Sequence, residues 1–270
     1  MDQHSYWQKQ TGEKTLFPDI EWSKPEQLHL RGKLGIIGGN KLNFVSVSEN
    51  YNEANKLGVG EVKILLPDKL KKDIPKNMTN VKFASSNSSG GLSKDALPEM
   101  NALADWSNAI LMIGDTGQNS ETAVLYENFI NSYGGLLTIT RDAFDLIKNN
   151  SQNIIERKDT LLVLSFAQIQ KLFQYVYYPK VLTFNMQLTN FIEALHKFTI
   201  TYPINILVLF KNNLIVACNG EIVTSPADNP MTVWKGLTAT RATAYWLWNP
   251  QKPLESISTS LLFSSIDNRT

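Results

Sequence analysis

Short apolar runs alternate with longer amphipathic segments over most of the chain. An unbroken apolar run that stops at a glycine or a polar residue is typical of a strand buried on both faces of a sheet. Apolar residues three and four positions apart are typical of a helix that covers such a sheet. The runs that predict strands are Lys33 to Asn40, Val62 to Leu66, Ala109 to Gly114, Leu136 to Thr140, Thr160 to Leu164 and Asn205 to Phe210.

The amphipathic segments lie between these strands, so strand and helix alternate regularly. This order predicts an α/β fold of three layers, in which a mostly parallel sheet carries helices on both faces. Turn-rich segments at Lys76 to Asn80 and at Ser85 to Gly91 predict surface loops. The predicted helices are Ser48 to Leu57, Asp95 to Trp106, Ser120 to Gly134-Gly135, Arg141 to Ile147, Phe166 to Val176 and Leu188 to Phe198.

The two ends of the chain have different patterns. Asn212-Asn213 and Asn219-Gly220 separate short apolar runs, which predicts antiparallel hairpins added to the sheet edge. Helices over residues 236 to 248 and 253 to 266 then close the fold. Residues 1 to 30 show neither the period of a helix nor that of a strand. They are predicted to be an arm whose aromatic side chains pack onto the domain or onto another subunit. We therefore divide the chain into this arm and a single domain of residues 31 to 270.

Composition narrows the range of partners. The net charge is +1, from 26 basic and 25 acidic side chains, so no overall field favours nucleic acid or a membrane surface. Cys218 is the only cysteine, which excludes an internal disulfide framework and is typical of a reducing compartment. No segment resembles a signal peptide or a spanning helix. We expect a cytoplasmic protein.

Glycine and polar residues follow several of the predicted strands. Ligands of open α/β sheets bind beyond the carboxyl ends of the strands, so residues at these positions are candidates for a site. Each also has a structural interpretation, since glycines permit tight turns and a carboxylate near a helix start is stabilised by the dipole. The residues concerned are Gly38, Gly39, Asn40, Gly114, Asp115, Thr116, Gly117, Thr140, Arg141, Asp142 and Ser165.

A second candidate site is the segment from Asn229 to Tyr245, NPMTVWKGLTATRATAY. Gly236 is predicted to open an alanine-rich helix there. A helix start offers unpaired backbone N–H groups and the positive end of the helix dipole, which together favour an anion. The segment is therefore a candidate phosphate site.

Several common motifs are absent from the sequence. It contains no G-x-x-x-x-G-K-[ST] phosphate loop, no G-x-G-x-x-G after a strand and no G-x-S-x-G elbow. The histidines His4, His29 and His196 are far apart, which argues against a zinc cluster or a histidine-based triad. His196 lies on a predicted apolar helix and is interpreted as structural.

The order of these features resembles the ribokinase-like NAD(P)H-hydrate dehydratase family over about residues 29 to 250. His29, Arg31-Gly32 and LGIIGGN are similar to its strand from a basic-glycine pair to a Gly-Gly-Ser turn, and NKLGVGEVKILLP to its helix, Gly-x-Gly, strand and Pro. MIGDTG stands where the family has Gly-Pro-Gly-Leu-Gly, TITRDAF where it has Asp-Ala-Asp-Ala-Leu, and LVLSFAQIQKL where it has Thr-Pro-His-Pro-Gly-Glu. The run from Asn205 to Pro230 is similar to its hairpin and Asn-Pro approach to the active loop.

The resemblance implies a ribokinase-like fold and a specific chemistry. Enzymes of that family remove water from hydrated NADH or NADPH while splitting ADP or ATP. A Gly-x-Gly-Asp at a helix start supplies the working group, with glycine amides holding negative charge and the Asp acting as general base. The resemblance therefore implies ADP or ATP with Mg²⁺, and an NAD(P)H-type ligand, as candidate cofactors.

The chain departs from the family at the positions that matter for catalysis. Counted from Asn229-Pro230, the family's Gly-Gly-Ser-Gly-Asp falls on residues 235 to 239, so Gly236 is kept and Ala239 stands in the place of the base. Thr238 places a side chain where backbone should approach a phosphate. Thr140 replaces the first Asp of the acidic pair, and Asp142 matches the second. Residues implied as nucleotide- or phosphate-binding are Gly38, Gly39, Asn40, Gly114, Asp115, Gly117, Asn229, Lys235, Gly236, Thr238 and Ala239.

Three hypotheses follow. The first is a dehydratase-related pseudoenzyme that has lost or strongly reduced catalysis, acts by binding or assembly and still binds a nucleotide. The second is an active dehydratase or small-molecule kinase with a relocated base, for which Asp142 and Asp115 are candidate acids and Lys235 or Arg241 candidate phosphate ligands. The third is a structural subunit that pairs with itself or with an active paralogue. We expect a homo-oligomer, for which the aromatic arm, Trp234, Trp246 and Trp248 could form an apolar interface. Ordinary core packing is the other interpretation of these tryptophans.

Overall fold

The strands of the fold form one sheet. A computed structural model describes residues 5–11, 15–75 and 78–262 of the chain. Within this part of the chain the strands are β1 (Trp7–Lys9), β2 (Lys33–Gly38), β3 (Glu61–Pro67), β4 (Val81–Ala84), β5 (Ala109–Gly114), β6 (Leu136–Thr140), β7 (Thr160–Ser165), β8 (Asn205–Phe210), β9 (Asn213–Cys218) and β10 (Glu221–Pro226).

The sheet is parallel over most of its width. Its strand order is β1-β10-β9-β8-β7-β6-β5-β2-β3-β4. All neighbours from β4 to β8 pair in parallel, whereas β8, β9 and β10 pair antiparallel. The predicted parallel sheet with antiparallel hairpins towards one edge is therefore confirmed.

Helices cover both faces of this sheet, as the sequence predicts. Their bounds are α1 (Pro18–Trp22), α2 (Val45–Leu57), α3 (Leu97–Trp106), α4 (Ser120–Ser132), α5 (Asp142–Ile147), α6 (Ser151–Ile155), α7 (Phe166–Tyr175), α8 (Leu188–Thr201), α9 (Met231–Trp234), α10 (Leu237–Trp248) and α11 (Pro253–Ser260).

Alternate residues of each central strand enter two separate cores. In β5, Ile110 and Met112 pack with α3, α4, α5, α7 and α8, whereas Leu111 and Ile113 pack with α2, α10 and α11. This follows from the period of two along a strand, which sends neighbouring side chains to opposite faces. Both faces of β5 are apolar because both are covered, which explains its unbroken apolar run.

The N-terminal segment takes part in the sheet, which the sequence pattern does not predict. Trp7 pairs with Ile222 of β10 in parallel, and its indole Nε1 donates to Thr224 Oγ1 at 3.0 Å. The hairpin of β9 and β10 is therefore not the outermost part of the sheet, since β1 covers it. β1 and β4 were both missed because strands of three and four residues are too short to show a period of two.

Other elements differ from prediction at their ends. α2 begins at Val45 rather than Ser48, and the short helices α1, α6 and α9 were not predicted. The last predicted helix, 253 to 266, is described to residue 262 and its helical part ends at Ser260. Residues 263 to 266, His4, and Lys76 and Asn77 of the predicted surface loop lie outside the described residues.

Candidate functional site

A cavity of about 460 Å³ opens beyond the carboxyl ends of the parallel strands β2, β5, β6 and β7. Sequence reasoning places a ligand crevice at this edge of the sheet. Seven of the candidate residues at the predicted strand ends line it, namely Asn40, Asp115, Gly117, Thr140, Arg141, Asp142 and Ser165. The remaining lining residues are Asn43, Asp145, Val163, Gln168, Val233 and Trp234.

Asp115 connects three of the loops around the crevice. Its side chain is almost fully buried, and its carboxylate accepts the backbone N–H of Ser46 at 2.9 Å and Arg141 Nη2 at 2.9 Å. Its backbone carbonyl accepts Asn40 Nδ2 at 2.6 Å. Asp115 therefore holds the loops that follow β2 and β6 against its own loop after β5.

Asp142 holds the same loop from the other side. Its Oδ1 accepts the backbone N–H of Asp115 at 2.9 Å, and its Oδ2 accepts that of Thr116 at 3.1 Å. The sequence interpretation of Asp142 as a carboxylate near a helix start is correct in place, because α5 begins there. Both of its carboxylate oxygens, however, accept hydrogen bonds from the loop after β5, in which Asp115 lies 27 residues earlier in the chain.

Gln168 joins the loop after β7 to this arrangement. Its Nε2 donates to the Arg141 carbonyl at 2.8 Å and to Asp145 Oδ2 at 2.9 Å. Ser165 and Gln168 also form a capping box at the start of α7. The second oxygen of Asp145 accepts Lys171 Nζ at 3.2 Å. Each loop of the crevice is thus tied to its neighbour by side chains.

Of the glycines predicted as ligand contacts at the strand ends, Gly117 lines the cavity, whereas Gly38, Gly39 and Gly114 do not. A side chain at Gly38 would meet the carbonyl of Gly114, and one at Gly114 would meet the carboxylate of Asp142. Gly39 donates its N–H to the Gly114 carbonyl at 2.8 Å and has a positive φ of 81°. These glycines therefore let the loops after β2 and β5 pack closely.

The start of α10 is a buried part of the fold. Gly236 precedes the helix with φ 83°, as expected of a glycine that marks a helix start, and no side chain caps it. Thr238 is 4% exposed and Ala239 is 0% exposed. The Thr238 hydroxyl donates to Thr232 Oγ1 at 3.1 Å, so α9 packs directly before α10. The cavity is lined here by Val233 and Trp234 of α9, not by residues 235 to 239.

The cations named from the sequence as phosphate ligands are paired with acids elsewhere. Lys235 Nζ lies 3.1 Å from Glu49 Oε1, and Arg241 Nε lies 2.5 Å from Glu53 Oε1 in a largely buried pair. Neither lines the cavity. Asn229 accepts the backbone N–H of Met231 at 3.1 Å and so stabilises the start of α9.

The tryptophans proposed as an interface lie in different environments. Trp246 is 1% exposed and belongs to the core, which agrees with the core-packing interpretation and excludes it from an interface. Trp248 is half-buried and donates to the Arg31 carbonyl at 3.0 Å. Trp234 is 55% exposed and lines the crevice, so of the three it alone is available to a ligand or a partner.

Several lining residues were not singled out from the sequence. Asp145 lies three residues after Asp142 on one helix, a spacing that places both on one face and that could have indicated it. Asn43 follows Asn40 in the loop after β2. Val233 and Trp234 had no such signal, because the short helix α9 was itself not predicted.

Groups that often carry chemistry have structural roles here. His196 stacks on Tyr6 with ring centroids 3.6 Å apart and bonds to the Gly220 carbonyl. Cys218 is buried, and desolvation raises the pKa of its thiol.

Within the described ranges, no three His, Cys, Asp or Glu side chains come together as a metal site. Among the described helices, none has the length and apolar composition needed to cross a membrane.

Replacing Gly236 with alanine is expected to lower the free energy of unfolding by about 1–3 kcal/mol. The reason is twofold, because φ is positive there and the new Cβ would meet the Ile113 side chain. Urea unfolding of purified protein measures the change. Gly134→Ala is the matched control, since nothing lies within 4 Å of its Cβ position, and an equal loss in both variants would contradict the role given to Gly236.

Known protein structures share this architecture, although no known family or curated sequence matches. No protein-family model matches the chain, and no curated protein matches its sequence. A ribokinase-like superfamily protein from Enterococcus faecalis matches with a TM-score of 0.73 at 12% identity, covering 98% of this chain and 90% of its own. The fold is ribokinase-like.

Two further solved structures share the ribokinase-like fold. A hypothetical protein from Streptococcus mutans has a TM-score of 0.71 at 14% identity, over 93% of this chain and 88% of its own. The ADP/ATP-dependent NAD(P)H-hydrate dehydratase from Bacillus subtilis, co-crystallised with ATP and Mg²⁺, has a TM-score of 0.60 at 13% identity, over 92% and 87%. These matches extend over nearly the whole chain, and they establish a likeness of fold.

Proposed function

We propose that this ribokinase-like chain is related to the NAD(P)H-hydrate dehydratases, that its catalysis is lost or strongly reduced, and that its crevice binds a small molecule. The chain would then act through binding or assembly rather than turnover. The observation that carries the proposal is that the carboxylate oxygens in the crevice already accept hydrogen bonds from the protein.

Every carboxylate oxygen that lines the crevice already accepts a hydrogen bond. Asp115 accepts from Ser46 and Arg141, Asp142 from two backbone N–H groups, and Asp145 from Gln168 and Lys171. A general base must present a lone pair to the proton that it removes, and protonation of any of these oxygens would weaken the hydrogen bond that it already accepts. This supports a crevice that is built to hold its shape rather than to transfer protons.

The start of α10 supports the same proposal. The resemblance gives Ala239 the place of the base, and the methyl group of Ala239 is fully buried. An alanine cannot take a proton, and loss of a positioned base typically costs ~10²–10⁴-fold in rate. Lys235, which the resemblance places at this start, is instead paired with Glu49.

A nucleotide is the ligand class to test first. The dehydratase from Bacillus subtilis, which shares the fold, was co-crystallised with ATP and Mg²⁺. We extend this to ADP or ATP with Mg²⁺, or an NAD(P)H-type ligand, for the crevice of this chain. Its volume of about 460 Å³ is in the range of small-molecule sites. Mg²⁺ would be held largely by the phosphates of the nucleotide, as is usual for this ion.

Calorimetric titration with ADP, ATP, NADH and hydrated NADH tests this proposal. We expect at least one of these compounds to bind, and we expect hydrated NADH to persist in the presence of ADP or ATP. An active dehydratase assayed in parallel is the positive control. Repair of hydrated NADH at an ordinary enzyme rate would overturn the loss of catalysis, and the absence of binding by all four compounds would overturn this set of ligands.

Trp234→Ala is expected to weaken the binding of any such ligand by about three- to tenfold, because an aromatic side chain at the mouth of the crevice can stack on a planar ring. Fluorescence or calorimetric titration measures the change. Trp22→Ala is the matched control, because Trp22 is 86% exposed and does not line the crevice. Equal affinities for both variants would place the ligand away from Trp234.

The alternative of an active enzyme with a relocated base has Asp142 as its best candidate. Its two acceptor bonds to the loop after β5 give it a structural task instead. If Asp142→Asn leaves a measurable turnover unchanged while the protein remains folded, Asp142 is not the base. A loss of turnover without a loss of stability would favour the alternative.

The alternative of a structural subunit is favoured by exposed apolar side chains. Tyr177 is 93% exposed, and Val181, Phe184 and Trp22 are also largely exposed. Large exposed apolar side chains are often covered by a partner, here a second copy or a paralogue. Light scattering distinguishes a monomer from the homo-oligomer that we propose.

The buried thiol of Cys218 also fits the cytoplasmic location that we propose.

A further inference from the structure

Arg141 and Asp115 form an ion pair whose two members both have unusual backbones. Arg141 has φ 56° and Asp115 has φ 58°, in a region that side chains other than glycine rarely adopt. The two side chains meet at 2.9 Å, between Nη2 and Oδ1. Backbone of this kind is strained and persists only where its surroundings impose it.

The surroundings do impose this geometry. The Arg141 carbonyl accepts Gln168 Nε2, and Asp115 is held through its N–H, its carbonyl and its carboxylate. The arginine is thus presented to the cavity from a fixed backbone.

The guanidinium is only partly satisfied. Nη2 donates to Asp115, whereas Nη1 is buried and has no acceptor among the described residues. A buried donor without an acceptor lowers stability, so such groups call for an explanation. Arg141 lines the cavity, and an oxygen atom entering it can supply the missing acceptor.

The charges around the cavity limit how much negative charge a ligand can bring. Three carboxylates, Asp115, Asp142 and Asp145, line it together with one arginine. Unit charges of like sign 4 Å apart repel by roughly 1–4 kcal/mol between water and a protein surface. A single anionic group can be placed at Arg141, whereas a chain of phosphates must also pass the carboxylates.

We propose that Arg141 makes the crevice selective for a small ligand with one terminal anionic group, a phosphate or a carboxylate, and against the corresponding di- and triphosphates. Nη1 donates to an oxygen of that group, while Asp115 keeps the guanidinium in place through Nη2. Trp234, on the same cavity, faces the planar part of the ligand. This inference rests on the proposed binding function and specifies the ligand class for it.

The test compares adenosine, AMP, adenosine 5′-carboxylate, ADP and ATP by calorimetry without Mg²⁺. A hydrogen bond to a charged group is worth about 1.5–3 kcal/mol, so AMP or the carboxylate should bind at least about tenfold more tightly than adenosine. ADP and ATP should bind more weakly than AMP. AMP and adenosine 5′-carboxylate together distinguish a phosphate from a carboxylate as the preferred group.

Arg141→Met should reduce the ratio of AMP to adenosine affinity to about one. Because this variant leaves Asp115 buried and unpaired, the double variant Arg141→Met, Asp115→Asn removes both charges and keeps an oxygen for the Ser46 N–H. Lys197→Met, which removes one cation from the surface of α8, is the control and should keep the wild-type ratio.

The results distinguish a failure of the proposed binding function from a failure of the selectivity by Arg141. If no compound binds, the proposed binding function fails, and this inference fails with it. If adenosine and AMP bind equally in the wild type, if ADP and ATP bind as tightly as AMP, or if the folded double variant keeps the wild-type ratio, the selectivity by Arg141 is overturned while the binding function stands.

Discussion

Replacing Asp142 with alanine is expected to lower the free energy of unfolding by about 3–5 kcal/mol, because it removes two hydrogen bonds to a charged acceptor. The backbone N–H groups of Asp115 and Thr116 then lose their acceptor, and the loop after β5 loses its anchor. Urea unfolding followed by circular dichroism measures the change.

Asp145→Ala is the matched control for this prediction. Asp145 lies on the same short helix and carries the same charge, but its partners are the partly exposed Lys171 and the amide of Gln168. We expect a loss of about 1 kcal/mol or less, as is typical of exposed pairs. Asp142→Asn should fall between the two variants, since it keeps one acceptor. Equal stabilities of all three variants would show that Asp142 does not anchor the loop.

The long-range part of this anchor is what sequence patterns cannot reveal. Asp142 is recognisable as a carboxylate at a helix start, and Gly236 as a glycine before a helix, because both are local features. The contact of Asp142 with residues 115 and 116 depends on how β5 and β6 pair in the sheet. The order of strands in the sheet is not encoded in any local period.

Local signals also explain which elements could be predicted. The central strands have both faces covered, so their apolar runs are unbroken and easily recognised. Ser165 and Gln168 have the spacing of a capping box, which the sequence contains in full. β1 carries no comparable signal, because its three residues are fixed by pairing with β10. The positive φ of Arg141 likewise follows from its neighbours and not from its residue type.

The second large effect concerns the position that the resemblance gives to the catalytic base. Ala239→Asp is expected to lower the free energy of unfolding by about 3–5 kcal/mol or more, because a carboxylate would enter a fully buried position without a partner. The Ala239 methyl packs in the core formed by α2, α10, α11 and the sheet. Thermal and urea unfolding measure the loss.

The Ala239→Ser variant shows how much of the loss in stability comes from added volume rather than from added charge. Its hydroxyl is small and can donate to a backbone carbonyl in the preceding turn of α10, so we expect a loss of about 1 kcal/mol. A similar loss for serine and aspartate would mean that the site tolerates a carboxylate, and hence that the start of α10 reaches solvent or the crevice.

The double variant Ala239→Asp, Thr238→Gly decides whether the active-site frame of the dehydratases persists here. Thr238 bonds to Thr232 and is buried under α9, so we expect the glycine to loosen this contact without opening a path to the cavity. The variant should therefore show no repair of hydrated NADH with ADP or ATP. Turnover in a stably folded variant would contradict this expectation, since it would mean that only the base had been lost and that the surrounding site had been kept.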